Sequence, residues 1–261
     1  VNIMASNFGK TIQVSTFGAS HGYAIGGIVE GLPCGYSIDI DELQAFLKRR
    51  APGQNQLQTQ RKEADIPEFL SGMVEGMLSG SPLAFMIRNT SQHSGDYNNL
   101  RDIPRPSHAD FTARMRYGNK VDMRGGGHFS ARLTAPLCVA GGIALQLLRE
   151  KGIEIHGHLK QVGTIQDTPI DMVHPDMKAF SKIATEPIAM LDARKRSEVE
   201  NLVMKLKKDG DSTGGIVEVV ATGLPIGLGN PNFDGIENRL VRVIFGVPAI
   251  KGVSFGGGFD M

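Results

Sequence analysis

The sequence predicts an α+β fold. Stretches of strand and helix character follow one another in mixed order, without regular alternation of one strand and one helix. The 33 glycines among 261 residues point to tight turns and close backbone approaches rather than a helical bundle. Hydrophobic residues at 41% and charged residues at 21% are those of a soluble globular chain with a sizeable core. No internal repeat or long linker interrupts residues 1–261, which read as a single domain.

Lys10–Ser15 and Ala24–Glu30 read as strands joined by the loop Gly18–Gly22. Asp39-Ile40-Asp41-Glu42 has the Asp-x-x-Glu form of a capping box and opens a helix to about Arg49. Pro52-Gly53 begins a polar, glutamine-rich loop through Gln60. Strands are expected at Phe69–Glu75 and Leu83–Arg88, parted by Gly80-Ser81-Pro82. After an irregular Asp96–Pro106, a short helix is expected from about His108 to Tyr117. The glycine-rich turn Asp122–His128 leads into an apolar helix, Ser130–Glu150, stopped at Gly152. Arg132, Pro136, Gly141-Gly142 and Gln146 mark that helix as buried in a soluble protein rather than spanning a membrane. Ile153–Ile165 reads as a strand, and Val199, Leu202, Val203 and Leu206 keep helical spacing up to Gly210. Gly215–Ala221 is expected as a buried strand, Ile236–Phe245 as a helix and Val253–Phe259 as a final strand.

The net charge is +1, but Lys48–Arg132 holds thirteen Lys/Arg against eight Asp/Glu, and ten of the thirteen are arginines. Arginine meets carboxylate and phosphate in bidentate geometry, so this stretch is where an anion site is sought. A solvated basic surface has the same charge. A nucleic-acid-binding module is disfavoured, because the arginines lack interleaved aromatics and the whole chain is near neutral. Cys34 and Cys138 form no redox or metal spacing, and the N-terminus carries no secretory apolar run, so a reducing cytoplasm is expected.

There is no strand-linked Gly-x-Gly-x-x-Gly, no P-loop, no HExxH and no Gly-x-Ser-x-Gly elbow. This leaves no Rossmann support for an NADPH-linked flavin reductase, and no metal site is expected. Three segments can carry chemistry. Gly18-Ala19-Ser20-His21-Gly22 sets a proton-transferring histidine between glycines at a strand end. It reads equally as a turn whose histidine caps a carbonyl. Arg105-Pro106-Ser107-His108-Ala109-Asp110 combines an anion binder, a histidine and a carboxylate able to orient it, or else forms a polar helix cap. Arg124-Gly125-Gly126-Gly127-His128-Phe129-Ser130-Ala131-Arg132 joins a glycine nest to a helix start between two arginines, a setting that attracts phosphate.

In order, these segments resemble the chorismate synthase family. Gly18–Gly22, Gly26-Gly27 and Glu30-Gly31-Leu32-Pro33 are similar to its first signature. Lys48–Gly53, Thr59–Asp65, Ser71-Gly72 and Gly80-Ser81-Pro82 follow in the family's order. Arg105–Asp110, Tyr117-Gly118, Asp122 and Arg124–Arg132 then match its central motif, so the resemblance covers essentially the whole chain.

The resemblance implies a β-α-β sandwich with helices between antiparallel sheets, assembled as a homotetramer. It implies 1,4-elimination of phosphate and a proton from 5-enolpyruvylshikimate 3-phosphate to give chorismate, using reduced FMN without net redox change. His21 would protonate the leaving phosphate, and His108 would serve the reduced flavin. Arg50, Arg105 and Arg132 would bind the substrate's phosphate and carboxylates. His128, Phe129 and Ser130 would contact FMN, as would Pro248 and Ala249. Some relatives also reduce flavin with NADPH. This sequence departs from the family at Ala19, usually acidic, at Ser107, usually glycine, at His128 and at Gln56, where some members carry arginine. The family pattern continues past Met261 with a flavin-binding loop and an arginine–aspartate signature, so a chain stopping there is expected to be crippled.

Overall fold

In the computed structural model, which describes residues 6–53, 63–90, 103–118 and 120–258, the N-terminal third is built on strand pairing between close neighbours. Strands β1 (Asn7–Gly9), β2 (Gln13–Gly18) and β3 (Ala24–Glu30) are followed by helix α1 (Ile40–Arg50). Then come β4 (Glu68–Ser71), the two-residue strands β5 (Met73–Val74) and β6 (Met77–Leu78), and β7 (Leu83–Arg88). Five of these strands form one antiparallel sheet in the order β1-β2-β3-β7-β4. Along β7 the period of two puts Leu83, Phe85 and Ile87 into the core. The Phe85 ring occupies the space left by Gly27, its partner in register on β3.

Helix α1 starts where the Asp39 side chain accepts from the Glu42 backbone N–H at 2.9 Å, as its capping sequence requires. Leu43 and Leu47, one turn apart, are its buried stripe. After α2 (Asp110–Tyr117) comes the apolar helix α3 (Thr134–Arg149). Gln146, which interrupts the apolar run of α3, is buried because its amide closes a pair of 2.9 Å bonds with the Asp39 backbone N–H and C=O. By length and composition, Arg124–Arg149 is apolar enough to cross a membrane. Its α-helical part is 16 residues, or about 24 Å, short of the roughly 20 residues a bilayer needs.

The chain divides into two compact units, one of 1–50, 63–146 and 225–261 and one of 51–62 and 147–224. The second holds an antiparallel sheet, β10-β8-β9, from β8 (Glu154–Val162), β9 (Ile165–Gln166) and β10 (Gly215–Thr222). Two helices, α4 (Met177–Ile183) and α5 (Ala193–Asp209), pack on it around Ile188, Met190 and Val199. Helix α6 (Ile236–Ile244) belongs to the first unit.

Several boundaries differ from expectation. Strand β2 starts later than Lys10, and β1 precedes it. The expected strand Phe69–Glu75 breaks at Gly72, whose φ of +85° turns the chain so that β5 pairs with β6 instead. The helix expected from Ser130 begins at Thr134, after a 3₁₀ turn over Ala131–Leu133. Strand β10 is largely exposed, not buried. It lies at the edge of a three-stranded sheet, where an apolar run cannot tell one covered face from two. Residues 253–255 are irregular and 256–258 turn, so no strand forms there, and Phe259 lies outside the described residues. Gln56 and most of the glutamine-rich loop lie outside them too.

Candidate active site

His21 lies in the β2–β3 loop, only 6% exposed. Antiparallel pairing brings Gly18 opposite Ile25, and the Gly22 N–H closes the loop on the Ala19 carbonyl at 3.0 Å. The loop is strapped from the far side by Asn89, the first residue past β7. Its amide nitrogen donates to the carbonyls of Ala19 (3.1 Å) and Gly22 (2.8 Å). Its backbone N–H meets the Tyr23 carbonyl at 3.1 Å.

The glycine turn packs directly on this loop. Gly125, Gly126 and Gly127 have φ of +59°, +88° and +55°, a region that L side chains enter only under strain. Space excludes side chains there as well. A Cβ at Gly125 would fall 1.9 Å from His21 Nδ1, and one at Gly127 would fall 1.8 Å from the Asp122 carbonyl oxygen. The Ser20 N–H donates to the Gly127 carbonyl at 3.0 Å. Arg105 reaches the same turn, with Nη2 3.7 Å from where a Cβ of Gly126 would stand. Three segments that are separate in sequence therefore meet on one strip of bare backbone.

Each arginine expected at an anion is held by a carboxylate. Arg105 grips Asp110 through Nε (2.8 Å) and Nη2 (2.9 Å), and its backbone N–H adds a third bond. That guanidinium holds the Asp110 carboxyl below the usual carboxylate range. Asp110 therefore anchors Arg105, and His108, two residues before it, has only a smaller charge effect on it. Arg50, at the end of α1, bonds Thr134 Oγ1 through Nε (3.3 Å) and Asp65 through Nη1. Arg132 bonds the other oxygen of Asp65 through Nη1 and Asn89 Oδ1 through Nε (3.2 Å), while its Nη2 lies 3.9 Å from Glu63. Burial lowers the Arg132 pKa, and Asp65 and Glu63 oppose that shift.

Side-chain exposure separates the three. Arg50 and Arg105 are 22% and 20% open, whereas Arg132 is 4% open. Arg50 and Arg105 are thus partly accessible from outside, while Arg132 is built into the wall. Two carboxylates offset Arg50 and Arg132, so an incoming anion would be held by directed N–H donors rather than by excess charge.

His108 is exposed on the same turn as Arg105, its backbone N–H 3.4 Å from the Arg105 carbonyl. The preceding Ser107 has φ +62°. His128 is tied at both ring nitrogens. Nδ1 faces the Gly18 carbonyl at 2.8 Å, which only accepts, so Nδ1 carries the proton and Nε2 faces Ser6 Oγ. Any contact from His128 to a cofactor is thus left to its ring face or backbone. Phe129 is 37% exposed beside Tyr117. Ser130 Oγ caps the 3₁₀ turn by accepting from the Arg132 N–H. Pro248 and Ala249 form an exposed turn after α6, with Ala249 at φ +70°.

Three polar residues of this site, Glu63, Asp65 and Asn89, carry no motif that marks them in the sequence. Glu63 and Asp65 were visible as acids inside a basic stretch, a sign that some arginines are paired. Asn89 gave no sign beyond following a strand. Asp122 is also drawn in. Arg124 holds its carboxyl low, and nearby His21 adds a smaller effect of the same sign.

The chorismate synthase family model matches residues 12–261. The chorismate synthase of Lancefieldella parvula is 43% identical, over 99% of this chain and 71% of its own length. That of Ralstonia pickettii is 44% identical, over 97% and 67%. A crystal structure of chorismate synthase superposes with a TM-score of 0.73 at 27% identity, covering 96% of this chain and 71% of that one.

Proposed function

The chain belongs to the chorismate synthase family, and we propose that the turn shared by His21 and Arg105 is where its reaction takes place. Its α+β fold is the family's, and its activity is that of a carbon–oxygen lyase of the shikimate pathway, forming chorismate from 5-enolpyruvylshikimate 3-phosphate. The observation that carries the proposed site is the contact of the buried His21 and the Arg105 guanidinium with one side-chain-free turn.

In this reading the partly exposed Arg50 and Arg105 bind the substrate's phosphate and carboxylates. Arg132 holds the wall behind them through Asp65 and Asn89. His21 delivers a proton to the departing phosphate, neutralising charge that would otherwise accumulate on it.

The fit of FMN rests on donor chemistry. The backbone of Gly125–Gly127, which carries no side chains of its own, runs into the Ser130-capped turn and α3, a setting that attracts phosphate. Phe129 offers a partly exposed ring, and His128, Ser130, Pro248 and Ala249 complete the proposed contacts. Reduced FMN, when bound, supplies the group that takes the proton lost from carbon, without net oxidation. His108, exposed beside Arg105, is proposed to keep that cofactor in its protonated form.

A homotetramer is part of the proposal, supported by exposed Phe233, Leu240 and Phe245 in the first unit, an apolar surface that other copies can cover. The cytoplasmic setting is supported by two free thiols, Cys34 and Cys138. Whether flavin reduction by NADPH is coupled is read from NADPH oxidation.

The test is chorismate formation by the full-length protein from 5-enolpyruvylshikimate 3-phosphate and reduced FMN. Product is expected with wild type, with losses of about 10²–10⁴-fold for His21→Ala and for His108→Ala. No product with wild type, or undiminished product with both variants, overturns the reading.

A further inference from the structure

Both polar atoms of the Asn89 side chain bond features that the proposed reaction needs. Its Oδ1 accepts from Arg132 Nε at 3.2 Å, and its Nδ2 donates to the carbonyls of Ala19 and Gly22 at 3.1 and 2.8 Å. Arginine has only donors and the two carbonyls only accept, so the amide can face one way alone. Asn89 is 8% exposed, and a buried amide with all partners in place is a rigid strut. The two carbonyls bracket His21 by two residues on the N-terminal side and one on the C-terminal side. Beyond Arg132, the strut continues through Asp65 to Arg50. The loop bearing the proton donor and the pair Arg50–Arg132 are thereby parts of one hydrogen-bonded frame.

We propose that Asn89 is a positioning residue for this reaction, holding the His21 loop at a fixed offset from the anion-binding arginines. The proposal rests on the reading of His21 as the group that protonates the leaving phosphate. With its polar atoms already bonded to protein groups, Asn89 would act through the His21 loop rather than on substrate. It acts by keeping the donated proton in line with an oxygen whose place Arg50 and Arg105 set. A displacement on the order of 1 Å at a proton-transfer site costs up to roughly 10²-fold in rate, while leaving anion binding nearly intact.

The test is a double-mutant cycle on the full-length protein, measuring kcat and KM for chorismate formation with reduced FMN. Asn89→Asp keeps the acceptor for Arg132 and the side-chain volume, but turns an oxygen toward the two carbonyls. Asn89→Ala removes the strut. Each is expected to lower kcat by about 10–100-fold with KM changed less than about threefold, the mark of an interaction used in the transition state alone. In a His21→Ala background the same substitutions are expected to cost almost nothing further, because Asn89 acts through His21. A purely structural role would cost the same factor in both backgrounds, and that result overturns the proposal. So does a kcat within threefold of wild type for both variants. An active wild type with such results refutes Asn89 alone, whereas an inactive wild type refutes the reading of His21 beneath it as well.

Discussion

Ser107 shows how much a single position can say. The family's motif has glycine there, and the backbone of this chain still adopts the conformation that glycine favours, φ +62°. A serine in that region is strained by about 1 kcal/mol. The fold around it is therefore set by its neighbours: Arg105, clamped to Asp110 on one side, and the start of α2 on the other. Ser107→Gly should relieve the strain and raise the midpoint of denaturant unfolding. The gain is expected to be somewhat below 1 kcal/mol, because glycine also frees the unfolded chain. A lowered midpoint would mean that the serine side chain makes a contact worth more than the strain. His21 and Arg105 were readable as chemical candidates from residue type and glycine context. Asn89 and Asp65 were not assigned roles, because hydrogen bonds between residues dozens of positions apart leave no local pattern.

Between elements, the decisive link is Asp65. It sits at φ +51°, buried, and bonds Arg50 at the end of α1 and Arg132 in the turn before α3. Asp65→Ala would leave two largely buried guanidinium groups short of their counter-charge. The expected cost is about 3–5 kcal/mol in unfolding free energy, with weakened substrate binding as Arg50 loses its anchor. Unchanged stability would show that Glu63 alone carries the pair. Element identity was largely legible: β3 and β7 fall at the expected Ala24–Glu30 and Leu83–Arg88, and α5 ends on Gly210, whose φ is +68°. The errors share one cause. Exposure of β10, the break at Gly72 and the 3₁₀ lead-in to α3 are decided by tertiary neighbours, which a one-dimensional apolar pattern does not contain.

Across the molecule, acid sensitivity should be spread over both units. In the second, Asp167 accepts backbone N–H bonds from Leu191 (2.6 Å) and Asp192 (2.9 Å) and lies 2.9 Å from His158 Nδ1. Those bonds outweigh the burial that would raise its pKa, so the carboxyl titrates below its ordinary range, as does Glu218 beside Lys160 and His158. In the first unit Asp110 is lowered by Arg105. A carboxylate with a depressed folded pKa contributes stability above its unfolded value, near 4, and that contribution is lost as pH falls through the folded one. Thermal unfolding should therefore show little change from these groups between about pH 5 and 7 and a falling midpoint below about pH 4. In Asp167→Asn the acid-side fall should be shallower. An equal slope would remove Asp167 from the account.

The most direct measurement is single-turnover release of inorganic phosphate from 5-enolpyruvylshikimate 3-phosphate by the full-length protein with reduced FMN, comparing wild type with His21→Ala. If the strip shared by His21, Gly125–Gly127 and Arg105 is the elimination site, the variant should still bind substrate but release phosphate about 10²–10⁴ times more slowly. Release at the wild-type rate from a folded His21→Ala protein would contradict the account and place the proton donor elsewhere.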